Sequence, residues 1–120
     1  MLEKKLHCCP AVTTWGEVQH QEKLAPGVWS VCTAGHGGII VATEVAHKHI
    51  SENAKKCIPE PECGFYNFEE DCDWAIFAKE NQSIVPEDWL QYIDGALQRW
   101  HPEYLAMLPP ETPSLFAERN

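Results

Sequence analysis

The chain has 120 residues, of which 44% are hydrophobic and 22% are charged, and this length and composition predict one globular domain over residues 1–120. The formal net charge is −9, from 18 acidic and 9 basic residues, which argues against direct nucleic-acid binding because phosphates require a basic surface. No apolar run approaches the roughly 20 residues that a bilayer crossing needs. No secretory signal is visible at the start of the chain. We therefore expect a cytoplasmic protein with neither a nucleic-acid nor a membrane partner.

The first third of the chain carries the strand signals. Residues 1–10 read as a loose start, and Ala11 to Trp15 is short and β-branched, which favours a strand. Val28 to Thr33 and Ile39 to Ala42 read as two further strands. The glycines of Gly35 to Gly38 lie between them and are typical of a hairpin turn. The pattern predicts a β-hairpin centred on this Gly-His-Gly-Gly segment.

The middle of the chain reads as two helices separated by a loop. Thr43 fits an N-cap, and the helix that it opens is expected to end near Lys56. Cys57 to Gly64 contains two prolines and reads as a loop. Asn67 followed by Glu70 matches a capping box, which predicts a helix from Phe68 to about Glu80. A strand over residues 73–77 is the alternative.

The last third predicts the most regular helix. Pro86 suits a first helical turn, and apolar residues then recur at three- and four-residue spacing up to Trp100. His101-Pro102 ends this helix, one more short helix is expected over residues 103–108, and residues 109–120 read as a second loose end. Since strands precede helices, the predicted fold class is α+β. We expect a small antiparallel sheet, the N-terminal hairpin, packed by two to three helices.

His36 is the candidate catalytic residue. Three glycines surround it, and they leave backbone amides approachable enough to form an anion site beside a histidine that could act as a general base. Glycine's permissive backbone explains the same composition by turn geometry alone. The sequence favours turn geometry and keeps catalysis as the alternative.

Acidic residues are concentrated in one segment of the chain. From Cys57 to Gln98 the only base is Lys79, against ten acids. Such a field repels nucleic acid and attracts a basic protein surface. Ordinary solubility, helix N-terminal acids and a divalent cation site are the alternatives. The candidate partner-binding residues are Glu60, Glu62, Glu69, Glu70, Asp71, Asp73, Glu87 and Asp88.

Six cysteines and several histidines raise the question of a metal. The candidate ligands are Cys57, Cys63, Cys72, His47 and His49, which could hold zinc tetrahedrally. No Cys-x2-Cys or Cys-x4-Cys pair occurs, so we expect no cofactor and keep zinc as an alternative. Buried free thiols, or a Cys57–Cys63 disulfide under oxidising conditions, remain open.

Four aromatic residues follow one another near the end of the chain. Trp89, Tyr92, Trp100 and Tyr104 recur at helical spacing, which favours packing of one helix face into the core. Because tryptophan and tyrosine are frequent at protein interfaces, a binding surface is the alternative.

Three segments carry a resemblance to a domain family. Residues Trp29 to Gly38 resemble the pattern W-x-V-x-T-P-x-H-G-G, with Ala34 in place of the proline. Tyr66 to Ala75 resembles Y-E-E-D-x-x-W-A with a stretched spacing between the tyrosine and the glutamates, and Leu97 to Tyr104 resembles L-x-x-W-x-P-x-x-Y. The family these patterns resemble occurs in proteins of phages, plasmids and other mobile elements and has no established activity.

That resemblance and the acidic charge together lead to a functional hypothesis. We expect a stoichiometric anti-defence protein of the anti-CRISPR kind, acting in the cytoplasm of a bacterial host. Its partner would be a host defence protein complex, bound at a basic nucleic-acid-binding surface. One alternative is a small enzyme using His36 with Glu69, Glu70 or Asp71, as a hydrolase or with a metal. The other is a structural zinc-binding module.

Overall fold

Two antiparallel β-sheets occupy the first two thirds of the chain in the computed structural model, which describes residues 8–109. The smaller sheet pairs β1 (Val12–Thr13) with β2 (Gly16–Glu17). The larger sheet has the order β3-β4-β5-β6, formed by His20–Ala25, Val28–Cys32, Gly37–Ala42 and Phe65–Glu69. The predicted loose ends fall mainly on residues 1–7 and 110–120, which lie outside the described residues.

Short helices make up the rest. A first 3-10 helix spans Thr43–Lys48 and a second spans Glu87–Tyr92, while the α-helices are α1 (Glu52–Lys55), α2 (Trp74–Glu80), α3 (Ile93–Trp100) and α4 (Pro102–Ala106). An antiparallel sheet combined with these helices confirms the predicted α+β class. The main sheet has four strands rather than the two of the predicted hairpin.

Strand β5 is the centre of the core. All six of its residues are buried, because β4 and β6 pair with its two edges and both of its faces are covered. Ile39 lies opposite Phe68 of β6, and the Phe68 ring meets Phe77 of α2 at 5.5 Å between centroids. Trp29 of β4 meets Phe65 of β6 in the same edge-to-face manner at 6.3 Å. These contacts hold the last strand and α2 against the hairpin.

The predicted hairpin is confirmed, with its turn placed earlier than expected. Thr33 closes the turn: its hydroxyl accepts from the amide of His36 at 3.1 Å and donates to the carbonyl of His36 at 2.7 Å. Gly37 and Gly38 follow the turn and belong to β5. The glycines of the motif therefore lie mostly within a strand.

The predicted helix from Phe68 to Glu80 is wrong in its first half. Residues 65–69 form β6, and the helix begins only at Trp74. The strand alternative over residues 73–77 is also wrong, because this stretch starts α2. Pairing with the edge of β5 provides hydrogen-bond partners for the backbone of β6 and buries Phe65 and Phe68. The free energy gained from these tertiary contacts outweighs the local preference of the capping box for a helix.

Two further expectations need correction. The helix predicted from Thr43 to Lys56 is interrupted: a 3-10 helix ends at Lys48, and α1 begins anew after Ser51. Ser51 is the N-cap of α1, where its hydroxyl accepts from the amide of Ala54 at 3.1 Å. The sequence also failed to indicate β3, because this edge strand is exposed along most of its length and has no apolar alternation.

Candidate binding surface around the acidic segment

The pairing of β5 with β6 brings the Gly-His-Gly-Gly segment and the acidic segment together. Gly38 lies opposite Glu69 in the register, and the amide of Glu70 donates to the carbonyl of Gly37 at 2.9 Å. In sequence, a 3-10 helix, α1 and the loop up to Gly64 separate the Gly-Gly pair from the acidic segment. Sheet pairing therefore decides that they share one site.

Gly37 is required by close packing rather than by an unusual backbone angle. A Cβ atom at this position would lie 2.8 Å from the carbonyl oxygen of Val31 and 3.0 Å from Oε1 of Glu70. Gly38 has a φ of +156°, and a Cβ there would clash with the carbonyl oxygen of Phe68 and lie 2.7 Å from the ring of Trp15. At both positions a backbone carbonyl is the closest obstacle to a side chain, and the Glu70 carboxylate or the Trp15 indole is the next.

His36 does approach a carboxylate. Its Nδ1 lies 3.6 Å from Oε2 of Glu69, and the two side chains are 54% and 36% exposed. An imidazole beside a carboxylate can exchange protons. Glu69 lines a recess of about 230 Å³, whereas His36 does not belong to its lining. Catalysis by His36 stays a prediction.

A recess of about 230 Å³ lies on one side of the acidic segment. We call it the acidic recess; its lining is Thr14, Trp15, Pro59, Glu60, Glu62, Asn67, Glu69 and Asp73. The hydroxyl of Thr14 donates to the carboxylate of Glu62 and ties the β1–β2 turn to the loop before β6. Four acidic residues from the stretch 60–73 therefore line this recess.

The carboxylates of this surface have few charged partners within residues 8–109. Among the described residues, no lysine or arginine forms an ion pair with Glu60, Glu62, Glu69, Glu70, Asp71, Glu87 or Asp88. Asp73 differs from the other predicted contact residues. Its side chain is buried and receives a hydrogen bond from Nε2 of His101 at 2.8 Å, so it serves the fold.

A second recess, of about 400 Å³, has aromatic walls. We call it the aromatic recess; its lining is Ser30, Val31, Cys32, Gly38, Ile39, Glu70, Trp74, Trp89 and Tyr92. The Trp74 and Trp89 rings stand at 81° to each other, with centroids 5.8 Å apart. The four aromatic residues that recur at helical spacing in the sequence have different environments. Tyr104 is buried in the core, whereas Trp89 and Tyr92 line this recess.

One group of side chains combines metal-ligating chemistry. Ligand atoms of Cys72, Asp73 and His101 all lie within 4.8 Å of one another. Burial, together with Asp73 and Glu69, raises the pKa of the Cys72 thiol to about 12. Nδ1 of His101 faces Oε2 of Glu103 at 3.1 Å. Thiol, carboxylate and imidazole are the ligand types that zinc accepts.

Only one of the five predicted metal ligands belongs to this group, and it is Cys72. Cys57, Cys63, His47 and His49 take part in no group of three or more ligating side chains within residues 8–109. All six cysteines are free thiols, so Cys57 and Cys63 are not bridged. The sequence did not indicate His101 as a metal ligand. It lies 28 residues after Asp73, and no recognisable ligand spacing connects it to Cys72 and Asp73.

Glu80, Tyr104 and Ser51 form a buried polar cluster. Glu80 is 1% exposed and Tyr104 is 0% exposed, and the Tyr104 hydroxyl donates to Oε2 of Glu80 at 2.6 Å. The amide and hydroxyl of Ser51 donate to the same carboxylate at 2.9 Å and 2.6 Å. Glu80 therefore fastens the C-terminal end of α2 to the start of α1 and to α4.

The fold and the site together define an α+β protein that carries an acidic recess and an aromatic recess around a β5–β6 edge. The chain belongs to the family described as a domain of unknown function (DUF7007), which matches residues 8–113. Comparisons with curated proteins and with solved structures found no match. Within the described residues, no helix has the length and apolar composition that a membrane crossing would require.

Proposed function

We propose that this protein is a binding protein that docks its acidic surface onto a basic surface of another protein. The observation that carries the proposal is the acidic recess, where Glu60, Glu62 and Glu69 converge without a lysine or arginine partner among the described residues. Like charges held together in this way oppose folding unless a partner neutralises them. A surface of this kind is complementary to lysine and arginine.

The proposed target is a nucleic-acid-binding surface of a host defence complex, and the proposed action is stoichiometric inhibition. A channel that binds nucleic acid is rich in exposed lysine and arginine. A protein with a net charge of −9 that fills such a channel excludes the nucleic acid by competing for the same cations. The sequence resemblance to mobile-element proteins supports this choice of target, and DUF7007 membership supplies no activity of its own.

The test is capture of partners from a bacterial host that expresses its defence complexes, followed by measurement of stoichiometry and salt dependence. We expect a defined ratio of inhibitor to target. We also expect affinity to fall steeply between about 0.05 M and about 0.5 M salt, because the attraction of exposed charges is screened. Binding that is insensitive to salt contradicts the proposal.

A charge-reversal variant locates the contact. Changing Glu69, Glu70 and Asp71 together to lysine should abolish the complex while leaving the circular dichroism spectrum unchanged. The matched control changes Glu17, Glu22 and Glu52 to lysine, three acids that line neither recess, and alters net charge by the same amount. Equal loss of binding in both variants would mean that net charge, not this surface, is recognised.

Zinc binding is a second candidate function, favoured by the Cys72, Asp73 and His101 group. The group joins the start of α2 to the α3–α4 junction, where a bound ion would stabilise the fold. Protein purified without chelator should contain about one zinc ion per chain, lost in Cys72→Ser and in His101→Ala. Cys63→Ser is the control, since Cys63 is exposed and outside the group. Wild-type protein free of zinc contradicts this candidate.

A further inference from the structure

We propose that the aromatic recess binds the cationic head group of a lysine or arginine side chain from a protein partner. The inference deepens the proposed function and rests on it for the nature of the partner. It concerns a different part of the surface from the acidic recess, and it assigns that part a specific ligand chemistry.

The first argument is the arrangement of the aromatic rings. Trp74 and Trp89 both line the recess and meet edge to face, at 81° with centroids 5.8 Å apart. Tyr92 is 62% exposed and lines the same recess, which adds a third aromatic wall. The face of an aromatic ring carries partial negative charge and attracts an ammonium or guanidinium ion. Several rings around one space are the arrangement that binds such cations.

The second argument is the carboxylate in the recess. Glu70 lines the recess and forms no ion pair with a lysine or arginine of the described residues. Its Oε1 would lie 3.0 Å from a Cβ at position 37, so the glycine there leaves this carboxylate uncrowded. An entering cation gains an ion pair as well as ring contacts.

The same carboxylate disfavours a neutral occupant. An apolar group in the recess would remove water from Glu70 without supplying a partner, which costs free energy. The hydrocarbon stem of lysine or arginine, by contrast, suits the buried Val31 and Ile39 in the lining, because these side chains combine an apolar stem with a charged head. Volume agrees with this choice, since about 400 Å³ accommodates a side chain.

The test uses small probes and needs no partner. Butylammonium and ethylguanidinium represent the two side chains, and butanol is the neutral analogue of the first. Each is titrated into uniformly ¹⁵N-labelled protein at constant ionic strength, with sodium chloride replaced by the probe salt. The indole N–H signals of the five tryptophans report where the probe binds. We expect the Trp74 and Trp89 signals to shift with at least one of the two cations and to stay in place with butanol.

Variants identify the groups responsible. Glu70→Gln and Tyr92→Ala should each weaken cation binding by about threefold to tenfold. The controls are Glu17→Gln and Trp100→Ala, which remove an exposed carboxylate and a 47% exposed indole outside the recess. Both controls should bind as the wild type does. Amide spectra of all four variants establish that the fold is retained.

Three results with the probes would overturn the inference: shifts of equal size with butanol, no shift of Trp74 or Trp89 with either cation, or unchanged affinity in Glu70→Gln. The proposed function fails separately. If the probes bind as expected but no basic partner is captured, the cation site stands and the inhibitor proposal falls. A partner that is captured can also be tested against the double variant Glu70→Gln/Tyr92→Ala. If the double variant binds it normally, the cation site is not part of that contact and the inference is wrong.

Discussion

Gly37 and Glu70 are in close contact across the β5–β6 pairing. Oε1 of Glu70 lies 3.0 Å from the point where a Cβ of residue 37 would be, and the Glu70 amide donates to the Gly37 carbonyl. The glycine-rich turn region and the acidic segment therefore depend on each other. Glu70 also lines the aromatic recess.

Gly37→Ala should destabilise the protein by about 1–3 kcal/mol, the usual cost of overpacking. The added methyl would press against the Val31 carbonyl at 2.8 Å as well as against Glu70, and the backbone cannot yield easily. Urea unfolding measures the change. Gly35→Ala is the control, because nothing lies within 4 Å of a Cβ at that position. Similar stability of the two variants would contradict the close-packing explanation.

Tyr104→Phe should cost about 1.5–3 kcal/mol of unfolding free energy, the range for a hydrogen bond to a charged group. The change removes a 2.6 Å hydrogen bond to Glu80 and leaves that buried carboxylate with Ser51 as its remaining partner. Burial, followed by the nearby Glu80 charge, also raises the pKa of Tyr104, so its hydroxyl stays protonated. Chemical denaturation measures the loss, and Tyr92→Phe at an exposed site should leave stability unchanged.

Cys63→Asn should stabilise the fold by up to about 1 kcal/mol. Cys63 has a φ of 56° and Gly64 one of 86°, and Glu62 and Phe65 exchange backbone hydrogen bonds on either side. Two successive positive φ angles define a type I′ turn, in which Asn-Gly is the preferred pair. The midpoint of thermal unfolding should rise. Cys63→Ser is the control that removes the thiol without improving the turn, and no gain over it would refute the prediction.

His49 should make stability depend on pH below neutrality. Burial lowers the pKa of His49, the hydrogen bond to Asn81 partly opposes this shift, and the Lys48 and His47 charges add to it. The folded state therefore binds the proton less readily than the unfolded state, whose pKa is about 6.5. Stability is complete above that value and falls as the pH decreases from it toward the lower folded pKa.

Unfolding free energies measured between pH about 7.5 and about 5.5 bracket this window. Replacing His49 by glutamine removes the titration and keeps an amide that can donate to Oδ1 of Asn81, as the ring does at 3.0 Å. The decrease in stability should be smaller in His49→Gln, since the remaining histidines are common to both proteins. Parallel pH profiles would show that His49 contributes nothing.

Local patterns predicted those elements whose signals are contained within a few residues. Val28–Cys32 and the strand beginning at Gly37 were indicated by β-branched residues on either side of a glycine-rich turn. The regular helix after Pro86 was indicated by its spacing, although its first turns, Glu87–Tyr92, are 3-10. In these places local propensity and tertiary packing favour the same conformation.

Phe65–Glu69 shows where local reasoning fails. Its residues satisfy a capping box as well as a strand, and only the free edge of β5 selects the strand. The acidic and aromatic recesses depend on the same choice. With a helix at this position, Glu69 would not stand opposite Gly38, nor Glu70 beside Gly37.

The sequence by itself determined the α+β class, the acidic charge and the resemblance to a family, because composition and short-range order contain them. Only the tertiary structure decided that the glycine pair and the acidic segment form one site. It also decided that Asp73 and His101 pair in the interior and that Trp74 and Trp89 meet at a right angle. The physical reason is that sheet pairing and burial act between residues distant in the chain, and their free energy is gained only when the whole core closes.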